Sequence, residues 1–286
     1  QALSGQRIEA GPSGSPYRGR KDVLPSGRNL FATDPLSVPT RAAHAQGVRL
    51  AEEFIRRYLQ DHGDWPSGVI VDLWGSATMR TAGEEFAMAL HLLGVRPVWT
   101  EGTERVSGFE ILPLPLLDRP RIDVTLRVSG LFRDVFPSLS GLYQQAVEAL
   151  AERQETPDWN PYMASSETAR IYGPAPGSYG LGMGPAAEQF SDAGRQAAAD
   201  AWLEASSYAL NAEGSFQDKQ GIQNRVAQAD SFIHLQDLPE TDLLLSADYV
   251  AHEAGFAAAK RAVGGQAALY HIDNTNPDTP AARRLS

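Results

Sequence analysis

Cysteine is absent from the chain. Disulfides, zinc–thiolate sites and thiol catalysis are therefore excluded within it. Lysine is scarce, standing only at Lys21, Lys219 and Lys260. None of these lies in a GxxxxGK[ST] loop, so the chain is not expected to hydrolyse ATP by itself. No apolar run reaches about 18 residues, so no membrane span is expected. The start lacks a signal-peptide pattern, and missing cysteine fits a reducing compartment, so the expected location is cytoplasmic. Positive charge is in deficit. A net charge of −10 over 286 residues carries no generic nucleic-acid footprint. The basic side chains that remain are mostly arginine, which suits bidentate recognition of carboxylates.

Familiar catalytic patterns are also missing. Gly177–Gly184, GSYGLGMG, is not GxGxxG and does not directly open a capped helix. His252 and Glu253 begin an HExxH-like pair, but Phe256 occupies the second histidine position. There is no GxSxG elbow. These absences exclude a dinucleotide fingerprint, a zincin and an α/β-hydrolase.

What is present reads as an α/β protein: a mostly parallel sheet with flanking helices and a loop-rich N-terminal arm. Residues 1–40 are rich in Gly, Pro and Ser and predict an extended arm. The span 41–155 predicts an α/β core, and 156–286 a second α/β portion that can belong to the same domain. Arg41–Asp61 has helical spacing, with Leu50, Phe54 and Tyr58 on one stripe. Val69–Trp74 is a nearly continuous apolar run, as in a buried parallel strand. Thr81 and Glu84 have capping-box spacing before a helix that Gly94 ends. Arg96–Thr100 then predicts the second strand of a right-handed βαβ unit. Further strands are predicted at Phe109–Leu112, Asp123–Ser129, Phe232–Leu235 and Ala267–Ile272. Helices are predicted at Leu142–Ala151, Ala197–Leu210, Gln223–Ala229 and Ala247–Val263, with Thr156–Gly184 as loop. The chain begins at Gln1 and ends in AARRLS, which resembles the opening of a helix; both ends look cut from a longer protein.

Ligands of open α/β sheets sit beyond the carboxyl ends of strands. Two polar turns are predicted there. Gly75–Arg80 offers small residues, hydroxyls such as Ser76, and a helix N-terminus. Arg127–Asp134 offers Arg127 and Arg133. Arg127 on an apolar strand needs a partner, since an unpaired buried charge is costly. That partner is Asp72, Asp123 or Asp134, unless Arg127 is a clamp for ligand carboxylates. The glycine-rich loop presents Tyr179 as flexible surface or as a lid over a flat ligand. His44, His62 and His91 read as structural or solvated, and His234 as a satisfied core residue. His252 with Glu253, and His271 with Asp273, are the better metal candidates, since imidazole and carboxylate ligands suit cobalt(II) and carboxylates suit magnesium.

Several ordered segments resemble one family. They are PSGSPYRGRKDVLPSGRNLFATDPLSVPT (Pro12–Thr40), YLQDHGDWP (Tyr58–Pro66), WGSATMRTAGEE and RPRIDVTLRVSGLFRDVFP (Arg119–Pro137). IYGPAPGSYGLGM (Ile171–Met183), SADYVAHEAGFAAA and YHIDNTNP complete the set. Together they resemble the large subunit of aerobic cobaltochelatase (CobN type) and, more distantly, that of magnesium chelatase. The chain departs from the pattern in a short Pro161–Ile171 segment, in AHEAG where the cobalt enzymes carry a phenylalanine–glutamate–glycine form, and in lacking the HGxxEW segment expected upstream.

The resemblance implies a C-terminal-half fragment of a subunit that inserts Co²⁺ into hydrogenobyrinic acid a,c-diamide in cobalamin biosynthesis. It implies ATP hydrolysis by separate AAA+ partner subunits, and an isolated fragment that is inactive. Magnesium insertion into protoporphyrin IX, and a non-catalytic tetrapyrrole-binding or scaffold role, are the alternatives. Insertion must desolvate the ion and remove ring protons, which carboxylates or imidazoles can take. The resulting assignment gives Arg80, Arg127, Arg133, Ser76 and Tyr179 to substrate. It gives Glu84, His252 and His271 to catalysis, and His252, Glu253, His271 and Asp273 to the metal.

Overall fold

A computed structural model describes residues 33–164, 169–183, 191–211, 213–240 and 246–285, and positions 2–7, 9, 11 and 24. Most of the predicted arm, part of the Pro161–Ile171 segment and Gly184 lie outside the described residues.

The centre of the fold is an eight-stranded sheet. Its middle strands are β1 (Gly68–Leu73) and β4 (Asp123–Val128), paired in parallel. On one side β8 (Ser231–Gln236) and β9 (Ala268–Asp273) continue the parallel run, and β10 (Ala281–Leu285) closes it antiparallel. On the other side follow β5 (Ile171–Gly173), then β6 (Tyr208–Asn211) and β7 (Gly214–Gln217) as an antiparallel hairpin. Strands from both sides of residue 155 thus share one sheet.

Helices cover both faces, and strand alternation decides which residue meets which layer. Val69, Val71 and Leu73 pack with α1 (Arg41–His62), α3 (Glu84–Leu93) and α6 (Pro137–Ala151), through residues such as Phe54, Leu90 and Tyr143. Ile70, Phe232 and Tyr172 pack on the opposite face with α7 (Asp192–Glu204), α8 (Lys219–Gln228) and α9 (Ala247–Val263), through Trp202, Ile222 and Phe256. Burial on both faces explains why the central strands read as apolar runs.

Four expectations need correction. The strand after Gly94 is β2 (Val95–Trp99), but it leaves the main sheet and pairs antiparallel with β3 (Val106–Ile111). Pro97 lacks a ladder donor and Arg96 and Val98 are exposed, which suits a ribbon rather than a central strand. The parallel neighbours of β1 are β4 and β8 instead. The helix predicted to Leu210 stops at Glu204, because Ser206 and Ser207 turn the chain into β6. Part of the predicted 156–184 loop forms β5. Residues 281–285 form β10, not a helix, since the turn before Pro280 returns them against β9 in register from Ala281↔Asp273.

Candidate functional site

The polar turn after β1 is itself a short helix, α2 (Gly75–Thr81). The turn after β4 opens α5 (Gly130–Val135), capped by Ser129, whose Oγ accepts from Phe132 N. The same Oγ accepts from Gly75 N at 3.0 Å, locking the two strand ends together. A Cβ on Gly75 would stand 2.5 Å from Phe132 N, so only glycine permits this approach.

The sheet carries one polar row beneath α9. Arg127, Asp72, His234 and His271 face one another in register across β4, β1, β8 and β9. Neighbouring strands lie about 4.8 Å apart, so these side chains form a contiguous line. Asp72 is its hub. Its Oδ2 lies 2.7 Å from His252 Nδ1, 2.7 Å from Trp74 Nε1 and 3.2 Å from His234 Nδ1. Its Oδ1 lies 3.4 Å from Arg127 Nη1. Burial works to raise the Asp72 carboxyl, but His252, His234 and Arg127 hold it well below the usual carboxylate range. Burial lowers His252, with Asp72 opposing and Arg127 assisting. Tyr249, His252, Glu253 and Phe256 have the i, i+3, i+4, i+7 spacing of one helix face. Tyr249 stacks on Trp74 with centroids 4.9 Å apart. A narrow recess at the carboxyl ends of the strands is lined by Asp72, Trp74, Ala77, Glu85, His234, Leu235 and Tyr249.

Arg127 is buried and committed inward. Besides Asp72 it reaches Ser206 Oγ at 3.3 Å and Ala205 O at 3.5 Å. A ligand carboxylate would have to displace Asp72 to engage it. Arg133 is also spent internally: it donates to the carbonyls of Pro174, Ala175 and Ser178 and pairs with Asp134. Tyr179 OH donates to Asp134 at 2.5 Å while its ring stays exposed, 5.6 Å from the Arg133 guanidinium carbon. The Arg133–Asp134–Tyr179 group therefore latches the glycine-rich loop to the end of β4. Arg80 forms a two-point pair with Asp237 at the surface, and Ser76 is half-buried.

The predicted Thr81–Glu84 capping box does not form: Gly83 is the N-cap of α3, and Thr81, at the end of α2, accepts from Gly83 N and Glu84 N and donates to Glu85. Glu85 is buried on the hydroxyls of Thr78 and Thr81, and burial raises its carboxyl. Glu84 instead accepts from Asn274 Nδ2. Burial, then Glu85 and Asp237, push Glu84 up to about 7. Since its ordinary value is 4.5, the unfolded chain releases a proton that the folded chain keeps between those two pH values. Stability must therefore fall as pH rises through this window. Allowing for partial exposure, Glu84→Gln is expected to gain about 2 kcal/mol above pH 7 and nothing near pH 4. Urea midpoints at both pH values check this; parallel profiles for the two proteins would contradict it.

His271 is buried, with Nε2 lacking a hydrogen-bond partner; burial and then His234 lower it to about 4. Glu253 Oε1 also lacks a partner, and burial raises its carboxyl. Asp273 caps the following turn through Thr275. Among the described residues no three His, Asp or Glu side chains converge to hold a metal ion. His252 therefore joins the site, Glu253 and His271 lie beside it, and Asp273 serves the turn. Sequence reasoning left Asp72 as one optional partner, treated His234 as core, and missed Trp74, Glu85 and Tyr249. The available signal was an ionisable residue inside each apolar strand.

Comparison with known proteins gives this arrangement a context. The CobN/Magnesium Chelatase family profile matches residues 1–286. The aerobic cobaltochelatase subunit CobN of Pseudomonas aeruginosa is 42% identical over 99% of this chain and 24% of its own length. The chloroplastic magnesium-chelatase subunit ChlH of Oryza sativa subsp. japonica is 30% identical over 100% of this chain and 22% of its own. The catalytic subunit of cobaltochelatase from Mycobacterium tuberculosis superposes with a TM-score of 0.88 at 36% identity, over 99% of this chain and 25% of that one. The chain thus spans about a quarter of the length of these relatives.

Proposed function

Because the chain belongs to the CobN/magnesium chelatase family, we propose that it forms part of the large subunit of an ATP-dependent cobaltochelatase. Its reaction is insertion of Co²⁺ into hydrogenobyrinic acid a,c-diamide during cobalamin biosynthesis. The observation that carries this reading is likeness to cobalt-specific relatives over nearly the whole chain, at 42% and 40% identity against 30% for the plant magnesium subunit. The Asp72 cluster supplies what the chemistry needs: imidazoles beside a buried anion at the mouth of a parallel sheet. ATP is hydrolysed by separate AAA+ subunits, consistent with the absence of a P-loop pattern here.

The residues fall into tiers. Ser76, Arg80 and Tyr179 reach the surface and are the direct substrate contacts. Arg127 and Arg133 support substrate binding from behind, one by holding Asp72 and the other by holding the Tyr179 loop. His252 and His271 handle protons, and Glu84 buffers them near neutral pH. Metal contact by His252, Glu253, His271 and Asp273 requires side-chain movement or residues from the rest of a longer polypeptide, since no three of them converge here. No helix among the described residues is long and apolar enough to cross a membrane.

The test is a reconstituted assay: the whole subunit, its ATPase partners, ATP, Co²⁺ and hydrogenobyrinic acid a,c-diamide, followed by absorbance. Cobalt uptake only with all components is expected. Magnesium uptake into protoporphyrin IX in its place would move the protein to the magnesium branch, and pigment binding without insertion would favour a sensor or scaffold.

A further inference from the structure

The hydrogen-bond pattern around Asp72 restricts the two histidines that touch it more tightly than family membership does. An ionised carboxylate only accepts hydrogen bonds, and an indole Nε1 only donates. Asp72 Oδ2 is met by His252 Nδ1 at 2.7 Å, His234 Nδ1 at 3.2 Å and Trp74 Nε1 at 2.7 Å. Were either Nδ1 bare, its lone pair would face the carboxylate's lone pairs. Both Nδ1 atoms must therefore carry hydrogen. The 3.3 Å approach of Arg127 Nη1 to His252 Nδ1 is then a neighbour contact and not a hydrogen bond, because a protonated Nδ1 has nothing to accept with. Arg127 spends its donors on Asp72, Ser206 and Ala205 O instead.

We propose that Asp72 is a positioning residue that holds His252 and His234 with hydrogen on Nδ1, so that Nε2 is the nitrogen each ring has free for chemistry. Neither Nε2 has a hydrogen-bond partner among the described residues. His234 lines the recess directly. Trp74 and Tyr249 hold both rings in place: the His252 ring centroid is 4.8 Å from that of Trp74, and His234 stands edge-on to Tyr249 at 4.5 Å. The outer partner of an imidazole sets which nitrogen is free for chemistry, and here one carboxylate does so for two rings.

The use of these lone pairs in metal insertion rests on the chelatase reading; the tautomer does not. In that reaction a ring N–H bond breaks, its electron pair stays on the macrocycle nitrogen for the entering metal ion, and the proton forms Nε2–H. The imidazolium so formed is stabilised by the Asp72 anion it already touches. His252, on α9, and His234, on β8, are the acceptors, and Asp72 acts only through them.

Two measurements decide this. Long-range ¹H–¹⁵N correlation on the chain with ¹⁵N-labelled histidine reads the tautomers directly. Protonated Nδ1 is expected in both His252 and His234. A bare Nδ1 in either ring would overturn the proposal. Asp72→Asn keeps an acceptor oxygen but removes the anion, so the Nδ1–H form should give way to a mixture of tautomers in at least one ring. The chemical role is read from His252→Gln in the reconstituted complex. Glutamine keeps a donor for Asp72 but loses the basic nitrogen, so kcat should fall about 10²-fold with KM little changed. An unchanged kcat would overturn the proton role. If the unsubstituted complex inserts no metal, the chelatase reading fails, while the nitrogen spectra still decide the tautomers.

Discussion

Arg127→Met is expected to destabilise the protein by about 3–5 kcal/mol, because it leaves Asp72 buried without its guanidinium partner. Both groups of this pair are almost wholly excluded from solvent. The interaction runs across adjacent strands at the centre of the sheet, where relaxation toward water is blocked by α9 on one side and β8 on the other. Removing both charges should recover most of the loss. Asp72→Asn with Arg127→Met keeps the volume and eliminates the stranded anion, and replacing a buried ion pair with neutral residues is often close to neutral. The two substitutions must therefore be strongly non-additive. Urea unfolding of the two single variants and the double variant checks this. Additive losses would mean that Asp72 relies on His252, His234 and Trp74 alone. This expectation differs from that for a surface clamp, where Arg127→Ala weakens ligand binding and spares the fold.

Gly47→Ala is expected to cost about 3 kcal/mol, at the upper end for overpacking. Gly47 lies where α1 crosses α3. A Cβ there would stand 2.6 Å from Ala87 Cβ, 2.7 Å from Glu84 O and 2.7 Å from Met88 N. Two of these three contacts are backbone, so rotamer changes cannot relieve them. The helices must separate, and α3 carries Glu84 and Glu85 with it. The Glu84 contact with Asn274 and the Glu85 contacts with Thr78 and Thr81 should loosen together. Ala87→Gly removes only the side-chain clash and should restore a minor part of the stability. Thermal and urea unfolding of the single and double variants test this. A full rescue by Ala87→Gly would show that the backbone contacts are not limiting.

The legible and illegible parts of this protein divide along physical lines. Helices with a clear apolar stripe and a glycine stop read well: α1 and α9 run at or within one residue of their expected bounds. The parallel core read well because burial on both faces writes continuous apolar runs into β1 and β8. Pairing did not read, because order in a sheet is set by long-range contacts. Adjacency in sequence suggested β1 beside β2, whereas β1 lies between β4 and β8. The short strands β5, β6 and β7 have too few residues to show a period. The site was half visible. Arg127 demanded an anion, and Asp72 was among the choices. Asp72, Arg127, His234 and His271 each interrupt an apolar strand, but only the register aligns them into one row. The capping spacing at Thr81 places the start of α3 too early, since Gly83 is its N-cap, and the side chain that Thr81 bonds is Glu85 and not Glu84. The place of Arg133 in a polar turn at a strand end suggests a clamp, and its three carbonyl partners become apparent only in the folded chain.

The proposal that these residues form part of a corrinoid-precursor site is tested most directly by titrating the chain with hydrogenobyrinic acid a,c-diamide, with protoporphyrin IX as comparison, and following tryptophan quenching. The recess is too narrow to admit a macrocycle, so a ring must seat over its mouth, where Trp74, stacked on Tyr249, reports its presence. The account predicts saturable quenching that is selective for the corrinoid precursor and lost in Trp74→Phe. Quenching that is equal for both pigments, or that survives removal of Trp74, would contradict it.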